Sequence, residues 1–259
     1  MMSTSKRTKD WYNENANTYA KHVASPADSP YHAYYEKPAI RAELPDVTGY
    51  SVLSIGCGSG LDSQYLKDQG AVRSVGIDIS ENLIEIAKRD HPDCEFHVMD
   101  MEQLSFETNT FDLVYSSLAM HYLIGGPAKA LHEAYRVLKP GGTLLFSDGH
   151  PIDTAMDSIQ DDNQVQDKRL GELKNKVDNT EVDFGDYLTS RVFKAEQGLA
   201  VDIWHQPLSQ TINQIIEAGF VLDKVLEFGP TEGMKKVSPR HYNRLQRIPE
   251  MVIFKAHKQ

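Results

Sequence analysis

The stretch Val52–Gly60, with the sequence VLSIGCGSG, decides the fold of this 259-residue chain. An apolar strand runs into a loop that has glycine at every second position, at Gly56, Gly58 and Gly60. A second apolar strand, Ser74–Asp78, then ends in a carboxylate. Only a residue without Cβ lets a backbone turn this sharply and touch a ligand, and a carboxylate can accept hydrogen bonds from both hydroxyls of a ribose. The order therefore predicts an α/β sheet that binds a nucleoside-bearing cofactor at its switch point.

The spacing of the glycines separates two classes of cofactor. A dinucleotide-binding loop reads G-x-G-x-x-G, but its third glycine would fall here on Leu61 or on Ser63. The sequence also contains no phosphate-binding loop of the form G-x-x-x-x-G-K-[ST]. The loop therefore suits a nucleoside cofactor without phosphates, and it disfavours a nicotinamide-dependent oxidoreductase.

Strands and helices alternate from the loop to residue 150. A helix is expected after each of the first strands, for example after Ser80, whose hydroxyl can cap a helix N-terminus. The run Lys139–Gly142, KPGG, predicts a break before the fifth strand. Alternation of this kind predicts a doubly wound, mostly parallel sheet. The predicted strands are 51–55, 74–78, 95–99, 111–115 and 143–146.

The N-terminal residues 1–45 predict a helical cap that precedes the sheet. Residues 1–10 are polar and are expected to be frayed. Prolines predict breaks in the helices of this segment. They are Pro26, Pro30, Pro38 and Pro45.

Residues 46–259 are predicted to form the main domain, with an insertion at about 151–205. The polar segment 153–181 predicts a mobile lid or an exposed helix, and a partner-binding segment is the alternative. Two alternating runs within 183–204 predict a β-hairpin around Gly198. The closing elements are predicted as a helix at 209–218 and a pair of strands at 221–228 and 251–256.

Composition and charge exclude several classes of function. The net charge of −10 disfavours nucleic acid as a partner, because phosphate binding needs a basic surface. Cys57 and Cys94 lack metal-ligand spacing and are predicted to be reduced thiols of a cytoplasmic protein without a metal site. The N-terminus has no apolar segment typical of a secretion signal, and no apolar run approaches the roughly 18 residues of a membrane span.

Several motifs in the chain are similar to those of the class I S-adenosylmethionine-dependent methyltransferases. VLSIGCGSG resembles the first motif of that family, although many members carry an acid where this chain has Ser54. The runs Phe111–Leu123 and Arg136–Gly142 resemble later motifs, so the resemblance covers residues 45–150. It points to the small-molecule, methyltransferase type 11-like subgroup. It implies a Rossmann-like methyltransferase fold, with a seven-stranded, mostly parallel sheet, an N-terminal helical cap and an insertion after strand five.

The same resemblance implies a cofactor and the residues that bind it. The cofactor would be S-adenosylmethionine, the product S-adenosylhomocysteine, and the methyl acceptor a small molecule. The family places an acid at the ribose and another at the adenine amino group, which correspond here to Asp78 and Asp100; surface acids that cap helices or loops are the alternative. The tyrosines of the cap are equally compatible with ordinary packing. The implied cofactor-binding residues are Tyr19, Tyr34, Gly56, Cys57, Gly58, Gly60, Asp78, Ile79, Asp100, Met101, Ser116 and His121.

Two histidines are candidates for a general base. A base is useful only if the acceptor must lose a proton, and histidine can accept one near neutral pH. His150 and His205 follow predicted strands, where doubly wound sheets bind ligands, but a histidine near a proline can also serve only to cap a turn. A catalytically silent cofactor-binding protein is the rival from another functional class. The sequence does not fix the acceptor or the oligomeric state, and a homodimer is compatible with it.

Overall fold

The central sheet has seven strands in the order β11-β12-β5-β4-β1-β2-β3. The computed structural model describes residues 4–158, 175–177, 180–184, 187–194 and 200–259. Its strands are β1 Ser51–Ile55, β2 Arg73–Asp78, β3 Glu95–Val98, β4 Phe111–Ser117, β5 Leu138–Gly149, β6 Met156–Ser158, β7 Asn175–Val177, β8 Thr180–Phe184, β9 Arg191–Lys194, β10 Asp202–His205, β11 Phe220–Glu227 and β12 Met251–Lys258.

Helices flank this sheet, and their bounds follow the sequence patterns. The α-helices are α1 Lys6–Glu14, α2 Ala16–Ala24, α3 Lys37–Ala42, α4 Leu61–Asp68, α5 Glu81–Asp90, α6 Ala128–Val137, α7 Pro151–Ala155, α8 Leu208–Glu217, α9 Glu232–Val237 and α10 Pro239–Leu245. A π-helical turn at His32–Glu36 precedes α3, and a 3-10 helix at Met120–Tyr122 follows β4.

The pairing of the strands confirms the predicted mostly parallel sheet. Strands β1 to β5 pair in parallel, while β12 runs antiparallel to both β5 and β11. Ile55 at the end of β1 lies opposite Ile77 of β2 and Ser116 of β4. Because the carboxyl ends of parallel strands meet at one edge, this register brings the glycine loop, the end of β2 and the end of β4 together.

Helix α5 illustrates how the sequence determines a local element. The hydroxyl of Ser80 accepts a hydrogen bond from the backbone N–H of Leu83 at 3.2 Å and so caps the first turn. Leu83 packs in a buried cluster with Ala16 of α2, whereas Ile84 and Ala87 pack with Phe96 of β3. The predicted cap and the apolar spacing are therefore both confirmed.

Three sequence predictions were wrong. Pro38 does not break the helical run, because a π-helical turn leads directly into α3 with Glu36 and Lys37 both in the right-handed helical conformation. The KPGG run does not precede the fifth strand but lies within β5, and a register shift between Phe111 and Leu113 of β4 accommodates it. The N-terminus is not frayed from residue 4 onward, since Thr4 forms a β-bridge with Leu123 and α1 begins at Lys6.

The insertion contains strands where the sequence favoured a lid or a helix. Strands β6, β8 and β7 form a small antiparallel sheet, and residues 159–174 lie outside the described residues. Strands β9 and β10 pair antiparallel, with Trp204 opposite Val192, which confirms the pairing expected within 183–204. The predicted turn at Gly198 falls outside the described residues.

His32 makes the folded state sensitive to acid. Its Nδ1 lies 2.7 Å from the hydroxyl of Ser29, and burial together with the charge of Lys37 lowers the pKa of His32 to about 4. The unfolded chain takes up this proton near pH 6.5, so the free energy of unfolding falls as the pH falls from about 6.5 to about 4. Between pH 7 and pH 4.5, the free energy of unfolding is expected to fall by about 2 kcal/mol less in His32→Gln than in the wild type.

Urea unfolding at the two pH values measures this difference. His132→Gln is the matched control, because His132 is an exposed residue of α6. An equal pH dependence in the wild type and in His32→Gln would contradict the assignment.

Candidate functional site

The loop after β1 has a backbone that requires glycine. The φ angle is +64° at Gly56, +55° at Gly58 and +88° at Gly60, in the left-handed region that other residues rarely adopt. A Cβ on Gly56 would lie 2.3 Å from the Cβ of Ala119. A Cβ on Gly58 would have a side-chain atom of Tyr19 as its nearest neighbour, at 3.8 Å. Gly56 is therefore fixed by packing, whereas a Cβ at Gly58 would make only an ordinary van der Waals contact.

The carboxylate of Asp78 is held against this loop by backbone donors. Its Oδ2 accepts a hydrogen bond from the N–H of Gly58, and its Oδ1 accepts one from the N–H of Ser80, both at 2.9 Å. Burial raises the pKa of Asp78, and the two backbone donors act in the opposite direction. Each carboxylate oxygen has a further lone pair that can accept a ligand hydroxyl.

A cavity lies above the glycine loop, and we call it the loop cavity. The sheet supplies its floor, and α1 and α2 cover it. The hydroxyls of Tyr12 and Tyr122 are hydrogen-bonded at 2.7 Å, and burial raises the pKa of Tyr122 to about 12. Both phenols are therefore neutral near pH 7. The described residues that line the loop cavity are Thr4, Thr8, Tyr12, Tyr19, Gly56, Gly58, Asp78, Ile79, Leu83, Met101, Ser117, Leu118, Ala119 and Tyr122.

Helix α1 is fastened over the loop cavity from two sides. On one side, the guanidinium of Arg7 donates to Asp202 of β10 at 2.8 Å, and the N–H of Asp202 donates to the hydroxyl of Thr8 at 3.0 Å. On the other side, Lys9 donates to Glu81 at the start of α5 at 2.8 Å. The covering helix is thus tied both to the insertion and to the sheet domain.

Half of the cofactor-binding residues proposed from the sequence line the loop cavity. They are Tyr19, Gly56, Gly58, Asp78, Ile79 and Met101. Sequence reasoning missed the contributions of Thr4, Thr8 and Tyr12, which come from the segment that was expected to be frayed or merely helical. The φ of +51° at Leu118 is rare for a residue with a branched side chain, and no sequence pattern indicated it.

The other proposed residues lie outside the lining of the loop cavity. The ring of Tyr34 belongs to a cluster with Met234. Cys57 packs against a cluster that includes Phe96, and burial raises the pKa of its thiol. The remaining residues have contacts elsewhere: Gly60 precedes the first turn of α4, Asp100 accepts from the N–H of Glu102, Ser116 donates to the carbonyl oxygen of Ile55, and His121 lies beside Asp148.

Ser117, the residue after Ser116, connects the loop cavity to a buried group of charges. Its hydroxyl accepts from the Nζ of Lys37 at 2.8 Å and donates to the Oε1 of Glu36 at 2.9 Å. Glu36 is fully buried, and its Oε2 has no hydrogen-bond partner among the described residues but lies 3.6 Å from the Nζ of Lys37. Lys37 also forms an ion pair with Asp62. Burial acts to raise the pKa of Asp62, but the charges of Lys37 and Arg41 outweigh it and hold the pKa below its usual value. Glu36 and Lys37 are consecutive residues at the junction of the π-helical turn and α3. Their opposite charges both contact Ser117 at the end of β4.

A second cavity is lined by Met120 and His121 of the 3-10 helix whose Tyr122 lines the loop cavity. Residues from the end of β5, from α7, β10, α8 and β12 enclose it. None of its described lining residues is a lysine or an arginine. They are Met120, His121, Pro127, Asp148, Gly149, Pro151, Thr154, Ile203, Trp204, His205, Gln206, Leu208, Thr211, Val252 and Phe254.

The histidines differ in their relation to this second cavity. The Nε2 of His205 is 3.0 Å from the carbonyl oxygen of Tyr187, and its Nδ1 is 2.5 Å from the hydroxyl of Thr154. Both of its ring nitrogens therefore have partners within the protein. His150 is absent from the lining, because its Nε2 bonds to Glu227 at 2.9 Å and its Nδ1 accepts a backbone N–H.

Comparisons with known proteins agree with this geometry. A family model described as a methyltransferase domain matches residues 53–146. A solved S-adenosylmethionine-dependent methyltransferase from Mesorhizobium loti is 28% identical, with a TM-score of 0.72 over 85% of this chain and 96% of its own. Residues 53–146 thus match a methyltransferase domain, and the chain as a whole is similar to S-adenosylmethionine-dependent methyltransferases. The predicted Rossmann-like methyltransferase fold is confirmed by the same similarity.

Curated relatives of this chain carry different names. Demethylmenaquinone methyltransferase of Renibacterium salmoninarum is 37% identical over 106 residues, which are 40% of this chain and 44% of the relative. The human mitochondrial arginine-hydroxylase NDUFAF5 is 30% identical over 150 residues, which are 55% of this chain and 43% of the relative. The chain thus spans less than half the length of each of these two relatives.

The residues of the loop cavity fit the cofactor of the family. Gly58 lines the cavity, and Asp78 offers carboxylate lone pairs beside it. Among the described residues, no group of three His, Cys, Asp or Glu side chains is arranged to hold a metal ion. No helix in the described part of the chain is both long and apolar enough to cross a membrane.

Proposed function

We propose that this protein transfers a methyl group from S-adenosylmethionine to a small-molecule acceptor. The observation that carries the proposal is the pair of cavities to which the 3-10 helix Met120–Tyr122 contributes lining residues. A transferase must hold a donor and an acceptor side by side, and this arrangement offers two adjacent spaces. The Renibacterium relative is named as a demethylmenaquinone methyltransferase, and this name supports a small-molecule acceptor.

The division of labour within the loop cavity follows from its contacts. Asp78, Ile79 and the backbone at Gly58 would hold the nucleoside, and Ser117 with Lys37 would face the opposite end of the cofactor. Bound S-adenosylmethionine supplies an electrophilic methyl group on a sulfonium, and the sulfur is the leaving group, which becomes a neutral thioether. The protein therefore needs mainly to align the two reactants and to exclude water. Helix α1, with Tyr12, covers the cavity and performs the second task.

Further aspects of the function belong to the same proposal. A cytoplasmic location and the absence of a nucleic-acid partner rest on the composition and charge of the chain, and a homodimer is compatible with this proposal. The division into a cap of residues 1–45 and a domain of residues 46–259 rests on the sequence pattern. Of the two histidines proposed as bases, His205 lines the second cavity, and we regard it as a wall residue of the acceptor site.

Calorimetric titration separates this proposal from its rivals. We expect S-adenosylhomocysteine to bind with a dissociation constant in the micromolar range and NADH not to bind, because the glycine spacing suits a nucleoside without phosphates. Preferential binding of NADH would instead identify an oxidoreductase.

Turnover then distinguishes an enzyme from a silent binding protein. Incubation of S-adenosylmethionine with a mixed metabolite pool is expected to yield S-adenosylhomocysteine, and the same mixture without the pool is the control. Tight binding of the cofactor without any acceptor-dependent product would contradict the transferase proposal. Hydroxylated arginine without methylated product would point to the chemistry named in the human relative.

A further inference from the structure

We propose that His121 and Asp148 form a proton-accepting pair in the second cavity, and that the acceptor is an uncharged planar hydroxyl compound, a phenol or an enol. This inference rests on the methyl transfer proposed above. It moves the role of general base from His150 and His205 to a histidine that the sequence had placed at the cofactor.

The carboxylate of Asp148 is fixed by backbone donors from two directions. Its Oδ1 accepts from the N–H of His121 at 3.1 Å and from the N–H of Gly149 at 3.0 Å. The same oxygen lies 2.5 Å from the Nδ1 of His121. Because an ionised carboxylate can only accept, this contact requires a proton on Nδ1.

The tautomer of His121 follows from that contact. With the proton on Nδ1, the neutral ring has an unshared electron pair on Nε2. Among the described residues, no atom is hydrogen-bonded to this Nε2, although the side chains of His121 and Asp148 are only 12% and 11% exposed. A base whose orientation is set by a third group is the arrangement that activates a nucleophile.

His121 also lies where the donor and the acceptor must meet. It belongs to the same 3-10 helix as Tyr122, and the centroids of the two rings are 4.2 Å apart. Tyr122 lines the loop cavity, whereas His121 lines the second cavity. The imidazole is therefore next to the boundary between the two spaces.

The remaining walls of the second cavity define the class of acceptor. The carboxylate of Asp148 is not balanced by any lysine or arginine among the described lining residues. An anionic acceptor would be repelled there and would lose its hydration without a cationic partner. The aromatic side chains of Trp204 and Phe254 contribute to the lining, and aromatic side chains pack favourably with an aromatic ring.

Proton removal and methyl transfer would involve the acceptor, His121, Asp148 and the methyl donor. The hydroxyl proton of the acceptor passes to Nε2 of His121, and an electron pair of the acceptor oxygen forms the new oxygen–carbon bond. The electron pair of the broken carbon–sulfur bond remains on the sulfur. The proton then leaves Nε2 for solvent, and Asp148 stabilises the imidazolium in the interval.

Nitrogen NMR of the histidine rings tests the tautomer. With protein labelled at the ring nitrogens and loaded with S-adenosylhomocysteine, we expect the neutral ring of His121 to carry its proton predominantly on Nδ1. In Asp148→Asn we expect the population of this tautomer to fall. A predominant Nε2–H form in the wild type would overturn the proposal.

Binding of a matched pair of probes tests the class of acceptor. 1-Naphthol and 1-naphthoate have the same ring system, but only the second carries a negative charge near neutral pH. In the presence of saturating S-adenosylhomocysteine, we expect 1-naphthol to bind about tenfold tighter or more. A preference for 1-naphthoate would overturn the proposal.

His121→Asn isolates the role of Nε2. The asparagine amide can still donate to Asp148 but has no acceptor at the position of Nε2, so we expect the affinity for 1-naphthol to fall about tenfold while the affinity for S-adenosylhomocysteine is unchanged. His132→Asn, on the exposed face of α6, is the control. Equal affinity of the wild type and His121→Asn for 1-naphthol would overturn this inference alone, whereas a failure of the wild type to bind S-adenosylhomocysteine would overturn the function on which it rests.

Discussion

Replacing Asp78 with alanine is expected to weaken the binding of S-adenosylhomocysteine about tenfold or more. A hydrogen bond to a charged group contributes roughly 1.5–3 kcal/mol, and about 1.4 kcal/mol corresponds to a factor of ten in affinity. The substitution also removes the acceptor of the N–H groups of Gly58 and Ser80. Calorimetric titration measures the affinity, and circular dichroism verifies the fold.

Two further variants make the result specific. Asp78→Asn preserves the shape of the side chain and one acceptor oxygen, so it is expected to lose less affinity than Asp78→Ala. Asp90→Ala removes an exposed acid from the end of α5 and should leave binding unchanged. If Asp78→Ala bound S-adenosylhomocysteine as tightly as the wild type, the ribose assignment would fail.

Among single alanine substitutions in the glycine loop, Gly56→Ala is expected to destabilise the fold most. The φ of +64° alone costs an alanine about 1–2 kcal/mol. The new Cβ would also lie 2.3 Å from the Cβ of Ala119, where backbone must move to relieve the overlap. We expect the free energy of unfolding to fall by about 3 kcal/mol or more, with loss of cofactor binding.

Gly141→Ala separates the two contributions. Gly141 has a similar φ of +77°, but no atom lies within 4 Å of its added Cβ. Its cost should therefore be that of the backbone alone, about 1–2 kcal/mol. In the background of Gly56→Ala, Ala119→Gly removes the opposing methyl group and should recover part of the lost stability. Similar unfolding midpoints in urea for Gly56→Ala and Gly141→Ala would show that the contact with Ala119 has no energetic effect.

The parts of the fold that depend on local pattern could be predicted from the sequence. The glycine loop, the acid that ends β2 and the cap at Ser80 are encoded within a few residues of where they act. The parallel order of the strands follows from their alternation with helices. Even the antiparallel pairing of β9 with β10 was visible as two alternating runs.

The parts of the site that depend on distant contacts could not be predicted. Thr8 reaches Asp202 across most of the chain, and no local pattern records that contact. The strand β4 continues two residues past its predicted end, so Ser117 rather than Ser116 faces the loop cavity. His121 was recognised as a site residue, but its orientation toward Asp148 depends on where β5 ends.

The contacts that hold α1 over the loop cavity have a consequence for the release of product. Thr8 and Tyr12 line the proposed cofactor cavity, so displacement of α1 would open that cavity for exchange of the product. Displacement breaks the contacts with Asp202 and Glu81 on its two sides. In enzymes where such an opening is slow, product release rather than chemistry limits turnover, and these contacts would place this protein in that class. Arg7 and Lys9, which never meet the reactants, would in this way set the dwell time of the product.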